Sequence, residues 1–299
     1  MHPYIHARNQ PDKPAVIMAD GGESLSYAQL EDRSNQVAQL LRSLGLAPGD
    51  HIAILLENHP RYFEICFGAH RAGIIYTAMS SRLTVGEAAY IIENSEAKLL
   101  ITSRAMSTLA DQLLGQTPGL KQCLMIDGTA PGYESYESAL ASQPATRIAD
   151  ETAGGDMLYS SGTTGRPKGV WVPPESAAID APNPLLGICI NLWGVNADSV
   201  YLSPAPLYHA APLRFCISVM RLGGTCVVME HFDAERYLQL VEQHKITHTQ
   251  LVPTMFVRML KLPEEARRRY DLASLKVAIH AAAPCPIPVK SQIIEWWAR

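Results

Sequence analysis

Residues 159–170 read Y-S-S-G-T-T-G-R-P-K-G-V, and this dodecamer is the most informative stretch of the chain. The short apolar run at residues 157–159 predicts the end of a β-strand. Four hydroxyl side chains, three glycines and one lysine then follow between residues 160 and 169. Glycines allow positive φ and close backbone approach, so successive N–H groups can converge on one anion. A strand that runs into such a loop predicts a binding site for the phosphates of a nucleotide.

The loop differs from two widely used phosphate-binding motifs. A Walker A motif has Gly before its lysine and Ser or Thr after it, whereas Pro167 and Gly169 flank Lys168 here. The kinase pattern G-x-G-x-x-G also fails, because Gly162 and Gly165 are three residues apart. An unrelated phosphotransferase is therefore disfavoured. The remaining alternative is a solvated Ser/Thr/Gly hairpin loop, in which Arg166 is a solvated arginine.

Composition excludes several classes of protein. A hydrophobic content of 47% with 18% charged residues excludes a disordered chain, and 299 residues suffice for one large or two ordinary domains. A net charge of −4 gives no bulk attraction to nucleic acid. The six cysteines lack a C-x-x-C pair, which favours free buried thiols over a disulfide framework or zinc site. The sequence shows no signal peptide and no apolar run long enough to span a bilayer, so we expect a cytoplasmic protein. This expectation allows peripheral contact with a membrane.

Strand and helix signals alternate along the whole chain. Two capping boxes, Ser26-x-x-Gln29 and Thr84-x-x-Glu87, predict helix starts. The alternation predicts an α/β fold with parallel-rich β-sheets covered by helices. About ten strands exceed what one twisted sheet comfortably holds, so we expect two layered sheets. Residues 127–156 lack clear periodicity and are expected to form surface connections.

The dodecamer resembles the phosphate-binding signature of the adenylate-forming superfamily, which includes acyl-CoA synthetases, aryl-CoA ligases, luciferases and peptide-synthetase adenylation domains. The resemblance covers nearly all of the chain and looks closest to the fatty-acyl-CoA synthetase branch. It implies that residues 1–299 are a truncated N-terminal adenylation (AMP-binding) domain. Other segments that resemble landmarks of the superfamily are residues 11–16, 44–54, 82–84 with 90–92, 206–209 and 282–284.

This resemblance implies that ATP activates a carboxylic acid, with fatty acids favoured, to an acyl-adenylate and then to an acyl-CoA. The implied cofactors and co-substrates are ATP, Mg²⁺ and coenzyme A. By resemblance, Thr163 or Thr164 helps to place the magnesium ion. The residues implied to bind the nucleotide are Ser160, Ser161, Gly162, Thr163, Thr164, Gly165, Lys168, Ala282, Ala283 and Pro284.

The same resemblance implies a substrate site around Tyr208 and His209, with His209 as the catalytic candidate beside the reacting carboxylate. Val252 and Thr254 resemble a segment that lines the acyl pocket. The alternatives are a satisfied buried histidine at 209 and a strand-to-helix turn with Thr254 as N-cap. Amino-acid-activating relatives carry Phe-Asp near this place, where the Asp pairs with an α-ammonium. Tyr208-His209 here argues against amino-acid substrates.

The resemblance further implies that an aromatic-G-x-T-E motif, a ribose-binding Asp and a C-terminal domain with a catalytic lysine should follow residue 299. We therefore expect a missing C-terminal domain and an isolated chain that does not turn over. A non-catalytic nucleotide- or acyl-binding fragment and an aryl-CoA ligase are the alternative interpretations. The pair His244-x-x-x-His248 lacks the Glu of H-E-x-x-H and is interpreted as surface and core histidines.

Overall fold

The predicted strands form two β-sheets in a computed structural model, which describes residues 1–160, 166–174 and 176–297. Most of these strands are nearly continuous runs of buried residues, which is typical of parallel strands that are covered on both faces. Their bounds are β1 (Pro14–Met18), β2 (Ser24–Ser26), β3 (His51–Leu55), β4 (Ile75–Ala78), β5 (Ala97–Ser103), β6 (Gln122–Ile126), β7 (Glu134–Ser135), β8 (Gly155–Ser160), β9 (Lys168–Trp171), β10 (Val200–Ser203), β11 (Thr225–Val228), β12 (His248–Leu251) and β13 (Val277–His280).

The two sheets are rich in parallel pairs, as predicted. The first sheet has the order β13-β12-β10-β11-β1-β2, and the second has the order β7-β6-β5-β3-β4-β8-β9. Within the described residues, antiparallel pairing joins β1 to β2 and β8 to β9 inside these sheets. Parallel neighbours end at the same edge of a sheet, so the loops that follow them share one side of the molecule.

Helices cover both sheets, which confirms the predicted α/β class. Both capping boxes are present, with Ser26 and Thr84 as the N-cap residues. The helices are α1 (Pro3–Asn9), α2 (Tyr27–Ser43), α3 (Arg61–Arg71), α4 (Val85–Asn94), α5 (Ser107–Leu113), α6 (Tyr136–Ala141), α7 (Pro184–Asn191), α8 (Ala210–Arg221), α9 (Ala234–His244), α10 (Pro253–Leu260), α11 (Glu264–Arg269) and α12 (Ile287–Trp297).

Helix α3 is buried along almost its whole length and packs against α2. Gly68 makes this contact close, because a Cβ there would lie 2.4 Å from the Cβ of Val37. At the end of α3, the fully buried Arg71 is neutralised by Glu31 at 2.7 Å and by Glu151 at 3.4 Å. A buried guanidinium needs such partners, because an unpaired buried charge is costly.

The prediction for residues 127–156 is wrong in part, because this stretch contains β7 and α6. Tyr136 on α6 is fully buried, and its hydroxyl donates a 2.7 Å hydrogen bond to Glu64. A helix of six residues is too short for a helical period to appear in the sequence.

The cysteines match the expectation of free thiols. All six cysteines are free, and all but Cys285 are buried. No helix in the described part of the chain has the length and apolarity required to cross a bilayer.

Candidate active site

The phosphate-loop candidate joins the two strands of the β8–β9 hairpin. Ser160 at the end of β8 pairs with Lys168 at the start of β9, and Lys168 is exposed. A Cβ at Gly169 would lie 2.2 Å from the Cε of Met157 and 2.9 Å from the Tyr159 ring, so these side chains would have to move to admit a larger residue. Outside the described residues lie the predicted nucleotide and magnesium contacts Ser161, Gly162, Thr163, Thr164 and Gly165.

Two contacts attach this hairpin to α4. The Tyr159 hydroxyl donates a 2.7 Å hydrogen bond to Asn94, and burial is the main factor that raises the pKa of Tyr159 to about 12. The Arg166 guanidinium lies 5.1 Å from the centroid of the Tyr90 ring. The expectation of a solvated loop arginine is thus incomplete, because Arg166 is exposed and also makes a cation–π contact.

The other predicted site residues follow the carboxyl ends of three neighbouring parallel strands in the first sheet. Tyr208 and His209 follow β10, Val252 and Thr254 follow β12, and residues 282–284 follow β13. In open α/β sheets ligands bind in crevices outside the carboxyl ends of the strands. The fold therefore brings the substrate and adenine candidates to a single edge of this sheet.

Asn58, which the sequence interpretation missed, connects that edge to the second sheet. It follows β3, and its side-chain amide donates hydrogen bonds to the carbonyls of Ala205 at 3.2 Å and Met229 at 2.7 Å. Its side-chain oxygen accepts a 2.7 Å hydrogen bond from the Leu207 N–H, directly before Tyr208. The available sequence signal was a polar residue three positions after a buried strand.

His209 is exposed at the N-cap position of α8, and its ring lies 4.5 Å from the ring of Tyr208. The pKa of His209 is lowered, first because its surroundings partly desolvate the ring and second because Arg82 brings a positive charge near it. Its imidazole is therefore neutral at pH 7 and can both donate and accept a hydrogen bond. The alternative of a satisfied buried histidine does not fit this exposure.

Two of the predicted segments, at residues 252–254 and 282–284, have local backbone features that the sequence did not indicate. Val252, not Thr254, occupies the N-cap position of α10, and Pro253 is the first helical residue, which suits proline because it needs no N–H there. Thr254 is exposed. Ala282 has φ +71°, which is the left-handed region that normally favours glycine.

Glu57, His59 and Asp127 form a group whose ligand atoms lie within 4.8 Å of one another. Nδ1 of His59 accepts a 3.2 Å hydrogen bond from the N–H of Arg61, so the proton of the neutral ring lies on Nε2 and faces Asp127. A histidine ligand to a metal normally donates its other ring N–H instead. We therefore interpret this group as a structural hydrogen bond.

His248 is buried, as predicted.

Comparison with known proteins gives a consistent result. The family model described as AMP-binding enzyme matches residues 4–299. A 4-coumarate–CoA ligase 5 from Oryza sativa subsp. japonica is 30% identical over 298 residues, which covers 95% of this chain and 52% of that protein. A feruloyl-CoA synthase from an Amycolatopsis species is 31% identical over 295 residues, which covers 98% of this chain and 56% of that protein. The chain therefore spans about half the length of these curated relatives.

The fold also matches solved structures. A fatty acyl CoA synthetase from Mycobacterium tuberculosis superposes with a TM-score of 0.81 at 23% identity, covering 99% of this chain and 57% of that one. Such identity supports the fold alone. The family match extends over nearly every residue and includes the hairpin and the strand ends described above. On this basis the chain belongs to the AMP-binding enzyme family.

Proposed function

We propose that the full-length protein uses ATP to activate an apolar carboxylic acid and then transfers the acyl group to coenzyme A. In the first step a carboxylate oxygen bonds to the α-phosphorus of ATP, and the bond from that phosphorus to the departing pyrophosphate breaks. In the second step the thiol of coenzyme A displaces AMP from the acyl carbon and releases its proton. Residues 1–299 would form the N-terminal adenylation domain, with a C-terminal domain completing the enzyme.

The observation that carries the proposal is the pairing of Ser160 with Lys168. Seven residues rich in hydroxyls and glycines connect these two positions in the sequence, and the pairing places the two ends of that segment side by side. Its donors and the Lys168 ammonium could then face one triphosphate. Donors aimed at the departing pyrophosphate stabilise its developing charge. A magnesium ion, which Thr163 or Thr164 would help to place, would neutralise part of the triphosphate charge.

The neutral imidazole of His209 suits the carboxylate end of the substrate. One ring N–H can donate to a carboxylate oxygen and leave the other oxygen free to attack. Residues 207–213 contain no acidic side chain. The α-ammonium of an amino acid would thus lack a carboxylate partner in this segment, and burying it unpaired would be costly.

Two classes of apolar acid remain, and we favour a fatty acid. Small and aliphatic side chains surround His209 in the sequence, including Ala210, Ala211 and the buried Leu213. One relative, 28% identical over 282 residues, is a fatty acid–[acyl-carrier-protein] ligase from Streptomyces coeruleorubidus. An aromatic acid is the second candidate, because other relatives are 4-coumarate–CoA ligases and feruloyl-CoA synthases.

The test is acid-dependent exchange of labelled pyrophosphate into ATP by the full-length protein. We expect exchange with fatty acids of increasing length, weaker exchange with hydroxycinnamic acids, and none with amino acids. His209→Ala should raise KM for the acid about tenfold, a loss typical of a hydrogen bond to a charged group. His244→Ala, on α9 away from the strand ends, is the control. Exchange with amino acids alone, or with no acid at all, would refute the proposal.

A further inference from the structure

A pocket of about 450 Å³ lies between α3, α8 and residues 172–174 and 176–185. We call it the α3–α8 pocket. Its walls are mainly apolar and include Phe67, Tyr76, Leu185 and Ile217. A volume of this size suits a small-molecule ligand with an apolar body. None of the residues predicted from the sequence lines this pocket.

Arg221, the last residue of α8, is an unusual member of this lining because it is only 5% exposed. Its guanidinium donates hydrogen bonds to two backbone carbonyls, those of Met1 at 2.8 Å and Ala181. Within the described part of the chain, it forms no ion pair, and Asp180 acts on it only from beyond contact distance. A guanidinium carries five N–H donors, so these two carbonyls leave donors uncommitted.

The other charged side chains of the pocket, and its histidine, already have hydrogen-bond partners. Arg214 forms a bidentate pair with Asp156 at 2.9 and 3.1 Å. Both ring nitrogens of His70 face backbone carbonyls, at 2.9 and 3.0 Å. The hydroxyl of Ser218 donates to the carbonyl of Arg214 at 2.8 Å. The pocket thus offers one cationic donor, Arg221, to a ligand that is otherwise apolar and carries an oxygen acceptor.

Helix α8 sets the separation, along its axis, between the backbone positions of Arg221 and His209. His209 lies at the N-cap of α8, and Arg221 is its last residue, twelve residues on. At about 1.5 Å per residue these positions are roughly 18 Å apart along the helix axis. An extended hydrocarbon advances roughly 1.25 Å per carbon–carbon bond, given bonds of about 1.5 Å and angles of about 111°. The distance corresponds to a long chain, longer than an aromatic acid such as a hydroxycinnamate.

We propose that Arg221 is a specificity-determining residue that binds an oxygen at the far end of a long-chain acid, whose ω carbon carries a hydroxyl or a carboxylate. This inference rests on the proposed function, since it places the reacting carboxylate beside His209. The apolar walls of the α3–α8 pocket would contact the hydrocarbon chain of the acid, and the Arg221 guanidinium would donate a hydrogen bond to the oxygen at its ω end. An acid without the terminal oxygen would leave the guanidinium with fewer partners and bind more weakly.

The experiment compares three acids of equal length with the full-length protein: tetradecanoic acid, its ω-hydroxy derivative and the corresponding α,ω-dicarboxylic acid. Binding is measured by calorimetry without ATP, and kcat/KM is measured by pyrophosphate exchange. We expect one or both oxygenated acids to exceed the plain acid by ten- to hundred-fold in both measurements. The two oxygenated acids distinguish a hydroxyl from a carboxylate as the preferred terminus.

Arg221→Gln should abolish this preference, so that the oxygenated and plain acids are used about equally, while exchange with the plain acid persists. Arg221→Lys, which keeps the charge, should retain part of it. The control Arg236→Gln alters an arginine on α9 that also donates to a backbone carbonyl, that of Ala19, and should leave the preference unchanged. If wild type does not prefer an oxygenated acid, or if Arg221→Gln keeps the preference, the inference is refuted while the proposed function stands. Arg221-dependent binding without any exchange would refute the proposed function and support this site.

Discussion

The side-chain oxygen of Asn58 accepts a 2.7 Å hydrogen bond from the backbone N–H of Leu207. Asn58 follows β3 of the second sheet, whereas Leu207 follows β10 of the first, so this bond joins the carboxyl edges of the two sheets. Tyr208 and His209 are the two residues that follow Leu207 in the chain. The position of the candidate carboxylate subsite therefore depends on a residue from the other sheet.

We predict that Asn58→Ala lowers the free energy of unfolding by about 2–3 kcal/mol, because it leaves the Leu207 N–H and two carbonyl groups without their partner. Denaturant unfolding of the full-length protein measures this change. The control is Asn191→Ala, which removes an exposed side chain bonded within α7 and should change stability by less than about 0.5 kcal/mol. Equal effects from the two variants would show that the junction contributes little.

Lys168→Ala should weaken ATP binding about tenfold, because the variant removes the exposed ammonium at the start of β9. A ligand that binds the folded state raises the melting temperature, and the stabilisation grows with the logarithm of ligand concentration over Kd, so a thermal-shift titration with ATP reports the change. Lys245→Ala alters an exposed lysine paired with Asp271 outside the hairpin and is the matched control. The assignment of the hairpin fails if both variants respond to ATP alike.

Ala282→Gly should stabilise the protein by about 0.5–1 kcal/mol. A left-handed backbone costs a non-glycine residue roughly 1–2 kcal/mol, and the extra conformational entropy that glycine loses on folding offsets part of this gain. The neighbour Ala283 lacks a positive φ, so Ala283→Gly should give no stabilisation. Thermal unfolding of the two variants makes the comparison. A destabilised Ala282→Gly protein would contradict the left-handed conformation.

Stability should fall as the pH drops below about 6.5, the ordinary pKa of histidine. Burial is the main reason that the pKa of His2 lies well below this value, and burial also lowers the pKa of His70. In this range the unfolded chain binds protons that the folded protein excludes, so the free energy of unfolding decreases by up to about 1.4 kcal/mol per pH unit for each group.

His2→Asn tests this pH dependence. Nδ1 of His2 caps α1 by accepting the N–H of Tyr4, and asparagine can accept the same bond without titrating. We expect a shallower loss of stability between pH 6.5 and 5 in the variant, and parallel behaviour of both proteins above pH 7. Identical slopes below pH 6.5 would show that His2 does not contribute to the acid response.

Much of the fold was predictable, because its signals are local. Capping at Ser26 and Thr84 depends on hydrogen bonds within one helical turn, and both boxes appear where the sequence placed them. The missed elements, β7 and α6, were short. The Pro253 start of α10 was missed because Thr254 offered a competing cap, and a proline at the first helical position decided between them.

The sequence by itself determined the phosphate-loop candidate, the α/β alternation and the family resemblance, because each is a pattern of neighbouring residues. Only the tertiary structure decided which distant residues meet. Asn58 contacts Leu207 across 149 positions, and Arg221 lines a pocket whose walls come from α3, α8 and residues 172–174 and 176–185. Such contacts follow from how the two sheets pack. The spacing of side chains along one segment does not indicate which distant segment will pack against it.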